Sequence, residues 1–283
     1  MTARQLIERV KHLPPAPHSA LRLVSLLGRS GAANDEIIEV LKCDNVLTAK
    51  LLSACNSSWL GLEEPVGSVD EAVLLLGHGQ ILQMVLNIAF GSTMAVALPL
   101  YATEAKALWR HSLLTAAAAE AILQHDESLA VEPAVGFTAG LLHDFGKLVL
   151  NEALPVQVQF EIRAKLKDGS TSRADAEREV IRTDHAEAGA CLLESWKLPA
   201  NIVEAVGNHH KPVLIPTPKL SAIINLANGI AHQAEPEADR PPEPAGGESR
   251  VAEILGLSES HIQSVMGRMQ ESFERMEHFL SAA

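Results

Sequence analysis

Apolar residues recur every three or four positions along almost the whole chain, which is the spacing of one face of an α-helix. Strand signals are nearly absent, because aromatic residues make up only 4% of the sequence and no sustained alternation of apolar and polar residues occurs. The apolar stretches are short and are bounded by Gly, Pro, Ser, Asp or Asn, which begin or end helices. The sequence therefore predicts an all-α protein, a multi-helix bundle.

The Pro, Gly and charged content of residues 233–248 predicts a linker or loop. Before it, residues 1–232 read as one domain, with an N-terminal helical part at 1–101 and a second helical part at 102–232. After it, a C-terminal helical segment covers 249–283. A chain of 283 residues is long enough for one large or two modest domains.

Several helix boundaries can be placed from local signals. Ser68 and Glu71 have the spacing of a capping box, and Asp184 and Glu187 have the same N-cap spacing. The glycines of the segment 77–79 predict a break in the helix that follows Ser68. Helical patterns are also predicted at 102–124 and between the prolines at 133 and 155.

The C-terminal segment carries one apolar stripe at helical spacing, which defines a single helix face. The stripe consists of Ile262, Val265, Met266, Met269, Phe273, Met276 and Leu280. Most such faces dock onto the core of their own domain, so docking is the first interpretation. The alternative is a partner-binding face, for example in a homodimer, because methionine adapts well to different partners.

Composition limits the classes of partner. The net charge of −12 disfavours nucleic acid, whose non-specific affinity comes from Lys and Arg. A turn between two short helices at 35–58 resembles a helix-turn-helix, but its second helix offers only Lys50 as a base. No membrane span and no signal peptide are predicted, so a cytoplasmic location is expected. Cys43, Cys55 and Cys191 form no CxxC pair and are expected to be reduced, buried thiols.

Polar groups interrupt an otherwise apolar run, GLLHDFGKLVL at 140–150, which contains His143, Asp144 and Lys147. Further histidines lie beside apolar residues at helical positions. They are His111, His185, His209 and His210. A single histidine of this kind is more often a hydrogen-bonded core residue than a ligand. Together, imidazoles and a carboxylate are the mixture that binds zinc, iron or manganese, and helical bundles draw such ligands from several facing helices.

The order of these motifs resembles the HDOD domain, a relative of the HD-type phosphohydrolases found in bacterial signalling proteins. The resemblance covers about residues 5–232 and depends on LKCDNVLTAKLLSACNSS, VDEAVLLLG, GLLHDFGKL, DHAEAGACLLESWKLP and NHHKP. It implies an HD-like helical core preceded by an N-terminal helical subdomain. It also implies that metal ligands would fall at His111, His143 and Asp144, with His185, His209 and His210 as additional ligands, and that Lys147 aligns with a lysine of the two-metal HD-GYP enzymes.

The chain departs from the enzymes at the last ligand of the family pattern. Asn228 stands where the enzymes have an aspartate, and an amide contributes no charge to a metal site. The nearest acids along the chain are Glu235 and Glu237, in the predicted linker. The GYP signature of the cyclic-dinucleotide hydrolases is also missing. Both departures count against hydrolysis, although Lys147 would stabilise charge on a phosphate in an active site.

Three hypotheses follow. The first, implied by the resemblance, is a non-catalytic regulatory module that contacts other signalling proteins, with either a metal-free polar network or an occupied metal without efficient turnover instead of a working site. The second is a metal-dependent phosphohydrolase or phosphodiesterase acting on a nucleotide or cyclic nucleotide, with bound iron, manganese, zinc or magnesium. The third is DNA binding through residues 35–58, which the acidic composition disfavours. A nucleotide ligand without turnover is compatible with the first hypothesis.

Overall fold

A computed structural model of the chain describes most of its length. The described residues are 1–10, 18–27, 33–57, 65–102, 104, 106–166, 171–211, 219–235 and 247–282. Within these ranges the protein is helical and contains no β-strand, which confirms the predicted all-α class. The structure does not test the predicted division of residues 1–232 into two parts. Residues 236–246, which make up most of the predicted linker, lie outside the described ranges.

The α-helices follow one another closely along the described ranges. They are α1 (Ala3–Ile7), α2 (His18–Leu27), α3 (Asn34–Lys42), α4 (Asn45–Cys55), α5 (Val69–Met94), α6 (Ala107–His125), α7 (Pro133–Leu142), α8 (Phe145–Ala153), α9 (Val156–Lys165), α10 (Arg173–Ile181), α11 (His185–Ser195), α12 (Ala200–Asn208), α13 (Lys219–Ala234), α14 (Gly247–Ile254) and α15 (Glu259–Ala282). Two short 3₁₀ turns, Pro99–Tyr101 and Glu127–Leu129, flank α6.

The N-terminal part is organised around α5, which packs against α2, α3 and α4. The Ser68 hydroxyl accepts a hydrogen bond from the Glu71 N–H at 3.2 Å, as predicted for the N-cap. The Glu71 carboxylate accepts from the Gly67 N–H instead of from Ser68, so the capping box is only half formed. The predicted break occurs at Gly77, where φ is +71°, a conformation that glycine adopts without steric cost.

Among the described helices, α5 is long and apolar enough to cross a membrane, although the sequence predicts no such segment. The helix reaches this length because its second half continues directly after the kink at Gly77. Much of that second half is buried in the core, including Ile81, Leu86 and Phe90. These contacts favour a core helix over a membrane span.

The second part is built around α6, which is buried along nearly its whole length and packs against α7, α13 and α15. Small residues allow α6 and α7 to approach closely. A Cβ atom on Gly140 would lie 2.8 Å from the Cα atom of Ala116, nearer than real Cβ contacts allow. The α6–α7 pair therefore brings backbone against backbone and fixes where each helix directs its polar side chains.

Two predicted helices differ from the structure. The pattern between the prolines at 133 and 155 forms two helices, α7 and α8, because the chain bends at His143 and Asp144. Helical periodicity alone does not reveal this bend, since both halves continue the same apolar pattern. The helix predicted at 102–124 begins later, at Ala107, because the backbone at Ala102 and Lys106 has positive φ.

The C-terminal helix α15 docks along α6, as the first interpretation of its apolar stripe predicts. Val265, Met269, Phe273 and Met276 are all at most 4% exposed, whereas the flanking Ile262 and Met266 are half-buried. The side chain of Leu280 lies outside the described residues. The core of the stripe is thus covered within the chain, and a homodimer through α15 stays a prediction.

The cysteines are free thiols, but not all of them are buried. Cys55 is buried, Cys191 is half-buried and Cys43 is exposed, so the expectation of a buried thiol is wrong for Cys43. The reason is local. Cys43 occupies the short turn between α3 and α4, where neither helix covers its side chain. The turn has the connectivity of a helix-turn-helix, and Lys50 is exposed on the second helix.

Glu120 is a carboxyl group on α6 that is only 9% exposed, and Gln83 of α5 donates to it. Burial raises the pKa of Glu120 to about 7, from 4.5. The folded state then binds more protons than the unfolded state between pH 4.5 and 7, so stability falls as the pH rises through that window and levels off above it. The loss is on the order of 3 kcal/mol, from about 1.4 kcal/mol per pKa unit.

We therefore expect Glu120→Gln to unfold at a higher denaturant concentration than the wild type at pH 8, and to differ much less at pH 4.5. The amide cannot ionise, so it avoids the cost of a buried charge. Urea unfolding of both proteins at the two pH values measures the difference. An equal difference at pH 4.5 and pH 8 would contradict the raised pKa.

Candidate metal centre

The centre of the site is Asp144, which is 1% exposed at the bend between α7 and α8. Its Oδ2 atom lies 3.7 Å from His111 Nε2 and 3.4 Å from His143 Nε2. The same oxygen accepts a hydrogen bond from the Lys147 ammonium, one turn along α8. Burial alone would raise the pKa of Asp144, but His143 and Lys147 outweigh burial and hold it well below its usual range.

The other oxygen of Asp144 faces a second group of histidines. Asp144 Oδ1 lies 3.4 Å from His185 Nε2 and 3.8 Å from His209 Nε2. His210 Nε2 is 2.8 Å from His185 Nε2. We call this group, with Asp144 Oδ1, the histidine end, and we call His111, His143 and Asn228, with Asp144 Oδ2, the asparagine end. The two carboxylate oxygens thus serve opposite sides of one pocket.

Backbone carbonyls fix the proton positions of two histidines. His143 Nδ1 lies 2.7 Å from the Gly140 carbonyl oxygen, and His209 Nδ1 lies 2.6 Å from that of Val206. A carbonyl oxygen only accepts, so each Nδ1 carries a proton and each ring turns its Nε2 atom toward the pocket. Burial, together with the neighbouring His143 and His185, holds the pKa of His209 well below its usual value. A neutral imidazole with a free Nε2 is the form that binds metals.

A buried glutamate orients His185. Glu177 of α10 accepts hydrogen bonds at 2.7 Å from both the backbone N–H and Nδ1 of His185, and the Tyr101 hydroxyl donates to its other oxygen at 2.9 Å. Burial alone would raise the pKa of Glu177, but His185 outweighs it and lowers the pKa. A carboxylate behind a ligating histidine is a common support in metal sites. The sequence motifs do not include Glu177, because it lies among other charged residues of α10, 8 positions before His185.

Three buried atoms around Asp144 have no hydrogen-bond partner within the described part of the chain. They are Asp144 Oδ1, His143 Nε2 and His209 Nε2. Leaving one such atom unsatisfied costs about 1–3 kcal/mol. One anionic oxygen and two imidazole nitrogens that face the same pocket are donor atoms suited to a cation. The hydrogen bonds among the described residues do not satisfy them.

The asparagine end contains Asn228, as predicted from its position on α13. Asn228 is 5% exposed, and its Oδ1 atom lies 2.9 Å from His111 Nε2. The amide oxygen can only accept, so His111 Nε2 donates to it in this contact. Asn228 brings a neutral oxygen to this end of the pocket, where the resemblance to the HD enzymes implies an aspartate.

A carboxylate that the sequence places in a linker also belongs to this region. Glu235 is 8% exposed directly after α13, with Oε1 3.0 Å from His111 Nδ1 and Oε2 3.0 Å from His232 Nδ1. Burial would raise the pKa of Glu235, but the two histidines outweigh it and lower the pKa to about 2. Glu235 therefore lies beside the site, in contact with His111 and His232. The i, i+3 spacing of His232 and Glu235, one turn beyond Asn228, was the available signal.

Glu235 does not restore the missing ligand of the asparagine end. It contacts Nδ1 of His111, whereas Asn228 and Asp144 face Nε2 of the same ring. The rings of His111 and His232 stack at 4.3 Å with an interplanar angle of 18°. Because ligation requires the metal near the plane of each ring, this stack suits two N–H donors to one carboxylate better than two metal ligands. Glu235 thus supports His111 from behind.

Three groups of donor atoms lie within 4.8 Å of one another. They are Asp144, His185, His209 and His210; His111, His143 and Asp144; and His111, His232 and Glu235. The first group supplies one carboxylate and three imidazoles from the described residues, a donor set typical of zinc, iron or manganese. The unsatisfied atoms at Asp144, His143 and His209 fit the same conclusion. The residues present therefore fit a divalent cation at the histidine end.

The chain belongs to the HDOD family. Residues 13–212, more than two thirds of its length, match the HDOD domain. This match covers the N-terminal helices and the site as far as His210, and it confirms the resemblance inferred from the sequence motifs.

Relatives and solved structures agree on this fold. The chain is 25% identical over 214 residues to an uncharacterized protein of Treponema pallidum (strain Nichols), a match that covers 74% of the chain and 39% of that relative. The chain therefore spans about two fifths of the length of the curated relative. A "Putative phosphohydrolase" from Shewanella amazonensis SB2B has a TM-score of 0.71 at 24% identity, with 97% of each chain covered. A "Putative signal transduction protein" from Marinobacter aquaeolei VT8 has a TM-score of 0.77 at 20% identity, with 99% and 65% covered.

Proposed function

We propose that this protein is a non-catalytic regulatory module of HDOD type, which acts through contacts with other signalling proteins and holds one divalent cation as a structural element. The single observation behind this proposal is Asn228, which brings a neutral oxygen to His111 Nε2 at 2.9 Å. The family assignment and the name of the Marinobacter structure are consistent with a signalling function.

The cation would be held at the histidine end by Asp144, His185, His209 and His210. When bound there it would satisfy the unpaired Asp144 Oδ1 and His209 Nε2 and would join α8, α11 and the end of α12.

A hydrolase needs more than a bound cation. It needs a polarised water or an anionic clamp at the reacting phosphate and a cationic group free to stabilise charge. Lys147 is already paired with Asp144, which reduces its value as that group.

Protein contacts need an accessible apolar surface, and the described residues include two pairs of neighbouring, exposed large apolar side chains. Leu74 and Leu75, just before the kink in α5, are 72% and 52% exposed. Val156 and Phe160, one turn apart on α9, are 75% and 65% exposed. Apolar surface of this kind is typical of protein interaction sites. The two pairs belong to different helices, so the proposal assigns a contact surface to each.

The second candidate function is a metal-dependent phosphohydrolase, the activity that the Shewanella structure's name suggests for that protein. The observation in its favour is the ligand-rich histidine end, where burial lowers the pKa of His209 and His210 and nearby charges hold the pKa of Asp144 low. Its weakness is the uncharged asparagine end. The two candidates make opposite predictions for turnover.

Hydrolysis of a chromogenic phosphodiester by the wild type, loaded separately with Mn²⁺, Fe²⁺ and Zn²⁺, distinguishes them. We expect no hydrolysis rate above that of Asp144→Ala treated in the same way, because a cation would contact the reacting phosphate at only one end of the pocket. The matched control is Asp175→Ala, an exposed aspartate on α10 whose loss leaves the pocket intact. Turnover that is present in the wild type and Asp175→Ala but absent in Asp144→Ala would establish the enzyme instead.

A further inference from the structure

A cleft of about 440 Å³ lies where α5, α6 and α15 meet, and none of the metal-centre residues line it. Small residues create this space. Gly77 kinks α5, a Cβ on Gly79 would meet nothing within 4 Å, and Ala117 and Ala121 present only methyl groups from α6. The volume is within the range of small-molecule sites. The cleft joins the N-terminal helices, the HD-like core and the C-terminal helix.

One wall of the cleft carries a buried carboxyl group supported by an amide. Gln83 Nε2 lies 2.8 Å from both oxygens of Glu120. Because the pKa of Glu120 is raised to about 7, the group is a carboxylate above that pH. A carboxylate has about four acceptor positions, so a single amide leaves acceptor capacity for a ligand. Gln124, one turn along α6, adds a second amide at the edge of the cleft. This wall is therefore suited to a group that presents N–H donors.

The opposite wall carries positive charge. Arg268 and Arg275 both line the cleft from α15, and two turns of helix, about 10 Å, separate them. Neither makes a hydrogen bond or ion pair to the residues that the structure describes, and Glu271 is the single acid between them that lines the cleft. Guanidinium groups prefer phosphate and carboxylate partners. Two such groups on one helix face are notable in a chain of net charge −12.

We propose that this cleft binds a nucleoside phosphate, with the phosphate on Arg268 and Arg275 and the base edge on Glu120 and Gln83. Carboxylate and amide side chains pair with the donors and acceptors of base edges, and arginine pairs with phosphate. The site is separate from the metal centre and does not depend on it. Because three parts of the chain form the walls, bound ligand would stabilise their arrangement, which gives the regulatory module an input.

Isothermal calorimetry with GMP, AMP, CMP, UMP and inorganic phosphate tests the site. We expect at least one nucleotide to bind about tenfold or more tightly than phosphate, since base and phosphate contacts add. The double variant Arg268→Gln/Arg275→Gln should weaken that nucleotide by at least about tenfold. Glu120→Gln should change the order of preference among the four bases, because an amide offers a donor where the carboxylate only accepts.

The matched control is Arg22→Gln/Arg250→Gln, which removes two exposed arginines elsewhere and should leave binding unchanged. Circular dichroism on every variant verifies folding. Asp144→Ala should keep the affinity of the wild type, which separates this proposal from the metal centre. The proposal fails if no nucleotide binds, if phosphate binds as tightly as the nucleotides, if the cleft variants bind like the wild type, or if only Asp144→Ala loses binding.

Discussion

Replacing Asn228 with aspartate should increase the affinity of the pocket for a divalent cation by at least about tenfold. The residue lies 2.9 Å from His111 Nε2 and is 5% exposed, so a carboxylate there would add an anionic oxygen at nearly the same position. Loss of a supporting residue outside the ligand shell typically costs about 10–100-fold in metal affinity, and a direct anionic ligand should matter more. Competition with a chromogenic chelator measures the affinities of both proteins.

The same substitution should destabilise the metal-free protein, since it adds a second buried carboxylate to the pocket that already holds Asp144. Asn201→Asp on α12 is the control, because it makes the same chemical change at an exposed position. It should alter neither metal affinity nor stability by more than a few tenths of a kcal/mol. If Asn228→Asp and Asn201→Asp bind metal equally, the asparagine does not limit the site.

Gly146→Ala should destabilise the fold by about 3 kcal/mol or more, the largest effect expected for a single methyl group in this chain. A Cβ on Gly146 would overlap the carbonyl oxygen of His185 and lie 2.6 Å from the Gly189 nitrogen. Both obstacles are backbone, so no side-chain rotation relieves them. The helices α8 and α11 would have to separate, which would move His185 away from Asp144.

Gly146→Ala should therefore unfold at a lower urea concentration than the wild type and should also bind metal more weakly. Gly267→Ala on α15 is the matched control, because its Cβ would meet nothing within 4 Å. Alanine is the better helix former, so Gly267→Ala should stabilise the protein by about 0.5–1 kcal/mol. A wild-type midpoint for Gly146→Ala would show that α8 and α11 do not meet as closely as described.

Local signals allowed the helical class and many helix ends to be predicted from the sequence. The N-caps at Ser68 and Asp184 form because a side-chain oxygen and an N–H three residues on are already neighbours. The histidines and Asp144 were identified by type and order, and the structure brings them together with Asn228 in one pocket. Their grouping by motif succeeded because each motif occupies a helix end or face that points inward.

The supporting residues could not be predicted in the same way. Glu177 lies 8 residues before His185, and Glu235 lies 124 residues after His111. Only tertiary packing brings each glutamate to its histidine. The composition of the segment after α13 favoured a linker, yet its first acid is buried on His111. The bend at His143 and Asp144 is equally hidden, because apolar periodicity continues through it.

The buried atoms without a hydrogen-bond partner favour a bound cation over a metal-free polar network. A metal-free polar network requires each buried group to find a partner. Asp144 Oδ1, His143 Nε2 and His209 Nε2 find none in the described residues, although backbone carbonyls and Glu177 orient the surrounding imidazoles. The donor atoms of the pocket fit a cation, and we propose that one is held at the histidine end. At the asparagine end, the amide of Asn228 contributes no charge.

The metal content of the wild-type protein, purified without chelator and determined by elemental analysis, tests this account most directly. We predict about one zinc, iron or manganese per chain in the wild type and none in Asp144→Ala, because Asp144 is the anion of the four-ligand group. A metal-free wild type that stays so after incubation with each cation would contradict the account. Two metals per wild-type chain would also contradict it, because Asn228 would then not limit the site.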